Sequence, residues 1–178
     1  MATLKIRQFG DPVLRQRAKE IDKVTGAHRR LARDMLDTMR AANGVGLAGP
    51  QVGVLERIFV WEVGDRNGVV INPVIVERSQ QTVVEEEGCL SIPGLAYEVE
   101  RPARVVLQGL DETGAPVRIE TDDDFVARVF QHETDHLDGV LFIDRLPGER
   151  RKEALSALRQ AILGLPPSAQ PVVHEETR

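Results

Sequence analysis

Residues 122–137 read DDDFVARVFQHETDHL, and their spacing decides how the rest of the chain is organised. Phe125, Val126, Val129, Phe130 and Leu137 recur at helical intervals, with Asp122, Asp123 and Asp124 placed as N-caps and as first-turn charges that complement the helix dipole. Gly139 then supplies a stop. His132 and His136 stand four apart on this predicted helix, so both imidazoles project from one face about one turn from each other and can reach one metal ion. Shuffled chains of this composition would contain His-Glu-x-x-His only ~0.006 times each, so chance is a poor explanation. Glu133 follows the first histidine directly, where a carboxylate can act as general base beside a metal-activated water. The bland alternative is an amphipathic helix with two surface or core histidines, and the pattern alone does not name a reaction.

Outward from this helix, the chain alternates irregularly. Toward the C-terminus a last helix is expected over Gly148–Gly164, with Ala154, Leu155, Leu158 and Ile162 on one face before Pro166, Pro167 and Pro171 forbid continuation. Toward the N-terminus, Ala103–Leu110 and Val117–Glu120 flank a turn sequence from Asp111 to Pro116 and predict a β-hairpin. Arg57–Val63, Val69–Glu77 and Gln81–Glu85 are rich in β-branched and aromatic residues and are broken by Gly64, Gly68 and Pro73, as strands would be. Leu31, Met35, Leu36 and Met39 predict a helix over Ala27–Ala42, stopped by Asn43-Gly44. Asp11-Pro12 opens a short helix within residues 11–20. No repeat or composition shift marks a second domain. The expected fold is therefore α+β: one domain over residues 1–164, mostly antiparallel strands around the His-Glu-x-x-His helix, a C-terminal helix, and a flexible tail over 165–178.

The chain has 178 residues, 42% apolar, enough to build a core without disulfide or metal staples, so a metal would be present for chemistry. A net charge of −5 with interspersed signs disfavours general or sequence-specific nucleic-acid binding. No stretch approaches a membrane span, no apolar leader opens the chain, and the single cysteine, Cys89, fits a reducing compartment; the expected location is cytoplasmic.

A catalytic metal commonly takes three protein ligands, so one donor must come from elsewhere. Cys89, in Glu87-Gly88-Cys89-Leu90-Ser91, is the leading candidate, although a lone cysteine is more often inert and buried. His28, on the charged side of a helix, and His174, in the tail, compete with it and are expected to be solvated. Gly44-Val45-Gly46-Leu47-Ala48-Gly49-Pro50-Gln51 is a small-residue loop that could bring backbone close to a substrate. It lacks the Lys-Ser/Thr ending of a phosphate loop, and by itself reads sooner as a tight structural turn.

In order and spacing, Gly44–Gln51, Glu87–Ser91 and Gln131–Gly139 resemble the three signature motifs of peptide deformylases, and the similarity runs to about Gly164. The resemblance implies removal of the formyl group from the N-terminal methionine of nascent polypeptides. It implies Cys89, His132 and His136 as ligands of one divalent ion, Fe2+ in the main, with Zn2+, Ni2+ or Co2+ able to occupy the same donors. It also implies Glu133 as the proton carrier, Gln51 and the Leu90 backbone N–H as donors to the oxyanion, and Val45, Gly46, Gly88 and Val129 as substrate neighbours. Two positions depart from the family pattern. Gly49 stands where alanine is common, which should loosen the loop, and Arg128 stands where an apolar pocket residue is usual, its guanidinium expected to reach solvent. Asp135 could orient an imidazole or pair with an arginine. Arg150, Arg151, Lys152 and Arg159 on the last helix could touch the ribosome, or form only a solvated face. Competing readings are a zinc metallopeptidase and a catalytically silent metal-binding relative.

Overall fold

The computed structural model describes residues 3–164. Helix α1 (Gly26–Ala41) precedes strands β1 (Gly46–Ala48), β2 (Ile58–Val63), β3 (Arg66–Arg78), β4 (Thr82–Cys89), β5 (Ile92–Pro102), β6 (Val105–Leu110) and β7 (Pro116–Glu120), followed by helices α2 (Asp124–Leu137) and α3 (Gly148–Ile162). Every strand pairing is antiparallel; β1-β2-β3-β6-β7 form one sheet and β4-β5 a separate hairpin. The fold is thus α+β, as expected. The proposed tail over 165–178 lies outside the described residues.

Strand β2 shows why the sheet is central. Ile58 and Val60 face α1 and pack with Met35, Met39 and Leu47, while Phe59 and Trp61 face α2. Phe130 of α2 meets Trp61 edge-on at 5.0 Å between ring centroids and Phe59 at 5.9 Å. A third apolar cluster joins β5 to a 3-10 turn at Phe142–Arg145 and to Ala154 and Leu158 of α3. Helix α2 is therefore covered on opposite sides, by the sheet and by the β4-β5 hairpin, and residues 126–137 are all buried.

The ends of α2 are tied as its sequence suggests. The Asp123 carboxylate accepts from the Phe125 and Val126 amides, and Arg57 donates to the Leu137 carbonyl and to Asp138 at the C-terminal end. Gly139 has φ +73°, and a Cβ there would lie 2.7 Å from the Arg15 carbonyl oxygen, so only glycine turns the chain here.

Several expectations change. Residues 11–20 hold only a 3-10 turn at Pro12–Arg15, because the chain then extends so that Lys19 exchanges backbone hydrogen bonds with Leu55 and Arg57. Strand β3 starts earlier than expected, at Arg66, and runs unbroken through Gly68 and Pro73. Asn72 takes φ +50° and its side chain bonds the Ile21 backbone, placing Pro73 at a shift in the β3-β6 register where its missing N–H costs nothing. Strand β5 lacks a counterpart in the sequence reading: Pro93, Gly94 and Pro102 mask the alternation of Leu95, Tyr97, Val99 and Arg101. In α3 the apolar face ends early, leaving Ile162 62% exposed.

Candidate active site

Helical spacing puts Arg128, His132, Asp135 and His136 of α2 under the hairpin. On β4, Glu87 and Cys89 are two residues apart and so point to the same side, toward those helix residues. Cys89 Sγ lies 3.3 Å from His136 Nε2, which lies 3.0 Å from His132 Nε2; the three donor atoms all fall within 4.8 Å of one another. Glu87 Oε1 lies 2.6 Å from His132 Nδ1. An ionised carboxylate can only accept, so Nδ1 carries a proton, and Nε2, which faces the sulfur and the other imidazole, is the nitrogen through which His132 would hold an ion. Phe142 stacks on the His132 ring at 6.4 Å and 21°.

Around this cluster, charge is arranged unevenly. Burial pushes the Glu87 carboxyl up, but His132 and Arg101 outweigh it and hold it well below the usual carboxylate range. For His132, burial works downward, yet Cys89 and Glu87 raise its pKa well above the ordinary imidazole value. Burial pushes His136 well below that value and keeps it neutral, the form that ligates metals. Two facing imidazole nitrogens and a thiol, ringed by carboxylates that favour positive charge, fit a divalent cation.

Glu133 stands beside the donors, 3% exposed, and its Oε2 has no hydrogen-bond partner among the described residues. Burial raises its pKa to about 7, with His132 pulling the other way. Gly46 of β1 makes room for it, since a Cβ at Gly46 would collide with the Glu133 carboxyl. Gln51 comes from a 3-10 turn at Gly49–Val52: its Oε1 accepts from the Ala48 amide at 2.9 Å, which turns Nε2 toward Ser91 Oγ at 3.2 Å and Cys89 Sγ at 3.6 Å.

Glu133, Gln51, Leu90, Cys89 and His132 all border one cavity of about 550 Å³. Val45, Gly46, Gly88 and Val129 line it too, so the structure gathers these sequence candidates at one place, with His136 behind Cys89. His28 is elsewhere. Its Nδ1 accepts from the Thr25 amide at the start of α1, and its side chain is only 14% exposed, so it is a helix cap and not the solvated residue expected. His174 lies outside the described residues.

Three readings of the sequence need correction or completion. Arg128 is 5% exposed and does not reach solvent: it donates to Glu87 Oε2 at 2.9 Å and to the Val99 and Val83 carbonyls at 2.8 and 3.0 Å, because the hairpin folds over it. Gly49 does not loosen its loop; a Cβ there would stand 2.7 and 2.8 Å from the Glu56 and Val54 carbonyl oxygens. Asp135 is an arginine partner, accepting from Arg101 at 2.7 Å and Arg145 at 2.7 Å. The residue that orients His132 is Glu87, which sequence reasoning quoted but gave no role. Its position two residues before Cys89 on a strand was the available signal.

A thiol and two imidazoles able to share one ion, with a partnerless carboxyl at the floor of an open cavity, are the means of a metal-dependent hydrolase. Comparison with known proteins narrows this class. A family model described as polypeptide deformylase matches residues 3–152. A peptide deformylase of Acidothermus cellulolyticus is 49% identical over 161 residues, 90% of this chain and 88% of the relative. Among solved structures, peptide deformylase from Thermus thermophilus superimposes with TM-score 0.86 at 47% identity, covering 91% of this chain and 96% of that one. The enzyme from Ehrlichia chaffeensis in complex with actinonin gives TM-score 0.85 at 37% identity, over 90% and 98% of the two chains. This chain belongs to the polypeptide deformylase family, and it is a hydrolase of that metal-dependent kind.

Proposed function

We propose that the protein hydrolyses the formamide bond of N-terminal formylmethionine on newly made polypeptides and releases formate, with Glu133 carrying the proton. The observation that carries this reading is the buried, partnerless Glu133 Oε2 at the cavity floor beside the Cys89, His132 and His136 donors. A divalent ion held by those donors supplies acidity to a water and positive charge to the formyl oxygen. Glu133 takes the water proton and returns it to the departing amine, two tasks suited to a carboxyl poised near 7. Charge developing on the formyl oxygen meets the Gln51 amide, already oriented by Ala48, and the Leu90 backbone N–H. Val45, Val129, Gly46 and Gly88 border the space for an uncharged methionine side chain.

Among ions, Fe2+ is our assignment from the family likeness, while the same donors suit Zn2+, Ni2+ or Co2+. A thiolate beside iron is open to oxidation, which favours the reducing cytoplasm as its location. No helix among the described residues is long and apolar enough to cross a membrane. Ribosome contact through α3 has weaker support, because Arg150, Arg151 and Lys152 already pair with Glu153, Asp144 and Glu149.

The test is formate release from a formyl-Met-Ala-Ser peptide by protein purified without oxygen and loaded with Fe2+ or Ni2+. Glu133→Ala should keep its metal and lose about 100- to 10,000-fold in kcat. A fully loaded native enzyme that releases no formate would overturn the assignment, and cleavage of internal peptide bonds would move it to the metallopeptidases.

A further inference from the structure

The two donors assigned to the oxyanion stand on separate elements, Gln51 on the 3-10 turn Gly49–Val52 and Leu90 at the turn of the β4-β5 hairpin. That hairpin forms a sheet of its own, so no strand ladder fixes the distance between them. A segment close to the N-terminus does. The Arg7 amide donates to the Gln51 carbonyl at 2.7 Å, and the Phe9 amide donates to the Ser91 carbonyl at 2.8 Å. Between them, Gln8 Nε2 lies 3.4 Å from the Leu90 carbonyl oxygen. The circuit closes at the site itself, where Gln51 Nε2 donates to Ser91 Oγ at 3.2 Å. Gln51 and Ser91 are 1% and 0% exposed, so this last bond lies out of solvent.

The arm is seated on both sides of that junction. Leu4 and Ile6 pack against the cluster of α1 and the sheet, which also takes Val52 beside Gln51, and the Leu4 amide is tied to Thr38 Oγ1 of α1. Phe9 packs against the cluster of β5 and α3, which contains Ile92 beside Ser91. Residues 4–9 therefore bridge two apolar clusters, and their amides meet one residue from each side.

A primary amide nitrogen carries two protons. The Ala48 amide fixes the oxygen end of the Gln51 side chain, and Ser91 Oγ takes one Nε2 proton. The other proton is left on the side of Cys89 Sγ, 3.6 Å away, where the formyl oxygen is to bind. Arg7, Phe9 and Ser91 do not line the cavity and cannot touch a substrate there. We infer that Ser91 and Arg7, linked through Phe9, are positioning residues for Gln51, so that the N-terminal arm acts on turnover through the oxyanion donor. The inference rests on the deformylase reading above and names what holds one of its donors in place.

Formate release by the metal-loaded enzyme is measured for Ser91→Ala and Arg7→Pro, each in the native and in the Gln51→Ala background. Ser91→Ala removes only a hydroxyl, while Arg7→Pro removes the amide proton. Both should lower kcat about tenfold with KM and metal content within about twofold, because a contact made only in the transition state is misplaced. Arg7→Ala keeps the amide and should leave kcat within about twofold. In the Gln51→Ala background, Ser91→Ala and Arg7→Pro should each change kcat by less than about twofold, since they have no donor left to position. A role in folding alone would lower kcat by the same factor in both backgrounds, and that outcome would overturn the inference. Native kcat in Ser91→Ala would overturn it as well, and this variant decides the matter if Arg7→Pro does not fold. No formate from the native enzyme would overturn the deformylase reading itself.

Discussion

Glu133 and Gly46 occupy mutually dependent positions: the carboxyl lies where a Cβ on residue 46 would be. Gly46→Ala should therefore displace Glu133 and lower kcat about 100-fold while the three donors keep their metal, to be read from formate release beside metal content. Gln51→Ala removes one donor aimed at the developing oxyanion and should cost roughly 100- to 1,000-fold in kcat. At Gly49 the family alanine is the wrong choice for this chain, because the Glu56 and Val54 carbonyls close over the position; Gly49→Ala should lower Tm in a thermal melt. At this scale the sequence was informative wherever chemistry is carried by residue type at a fixed spacing. Two histidines and a glutamate within one helical turn identify themselves. Cys89 was a candidate as the lone thiol of the chain, Gln51 became one through the family likeness, and Glu87 stayed without a role because its partner lies 45 residues away.

The β4-β5 hairpin and α2 meet through charges that are themselves buried. Arg101 holds both Glu87 oxygens and Asp135, while Arg128 takes the other side of Glu87. Arg101→Met would leave two carboxylates short of a counter-charge, and denaturant unfolding should show a loss of about 3–5 kcal/mol. A second junction is made by Asp144, which joins Arg15 and Arg151 from two other segments. Burial pushes its carboxyl up, but Arg15, the Leu141 amide and Arg151 hold it below the usual aspartate value of 3.8. The unfolded chain binds this proton more readily, so the contribution is present above about pH 4 and lost as pH falls through the lower folded pKa. Asp144→Asn should flatten that acid limb of a Tm-against-pH curve. Elements with clean periodicity, α1, α2 and the β6-β7 hairpin, were legible beforehand. Strand β5 was not, since its glycine and prolines read as loop and only pairing with β4 makes the segment a strand.

For the whole molecule, the three metal donors come from two elements that touch only when the hairpin closes over α2, so an ion that binds them binds the folded state alone. Chelation should lower Tm, and adding back Fe2+, Ni2+ or Zn2+ should restore it, with the shift growing with free metal concentration. The sequence by itself determined the α+β class, the helix that carries both histidines, the core faces of α1 and α2, and the pair of imidazoles with an adjacent carboxylate that suits a metal ion. Each of these depends on local periodicity or on residue types a few positions apart. Only the tertiary structure decided that Arg128 is buried, that Glu87 orients His132 and that Gly46 clears space for Glu133. Those features are contacts between segments far apart in the chain. They depend on strand register and on which acceptors a closing hairpin offers, and no short stretch of residues contains that information.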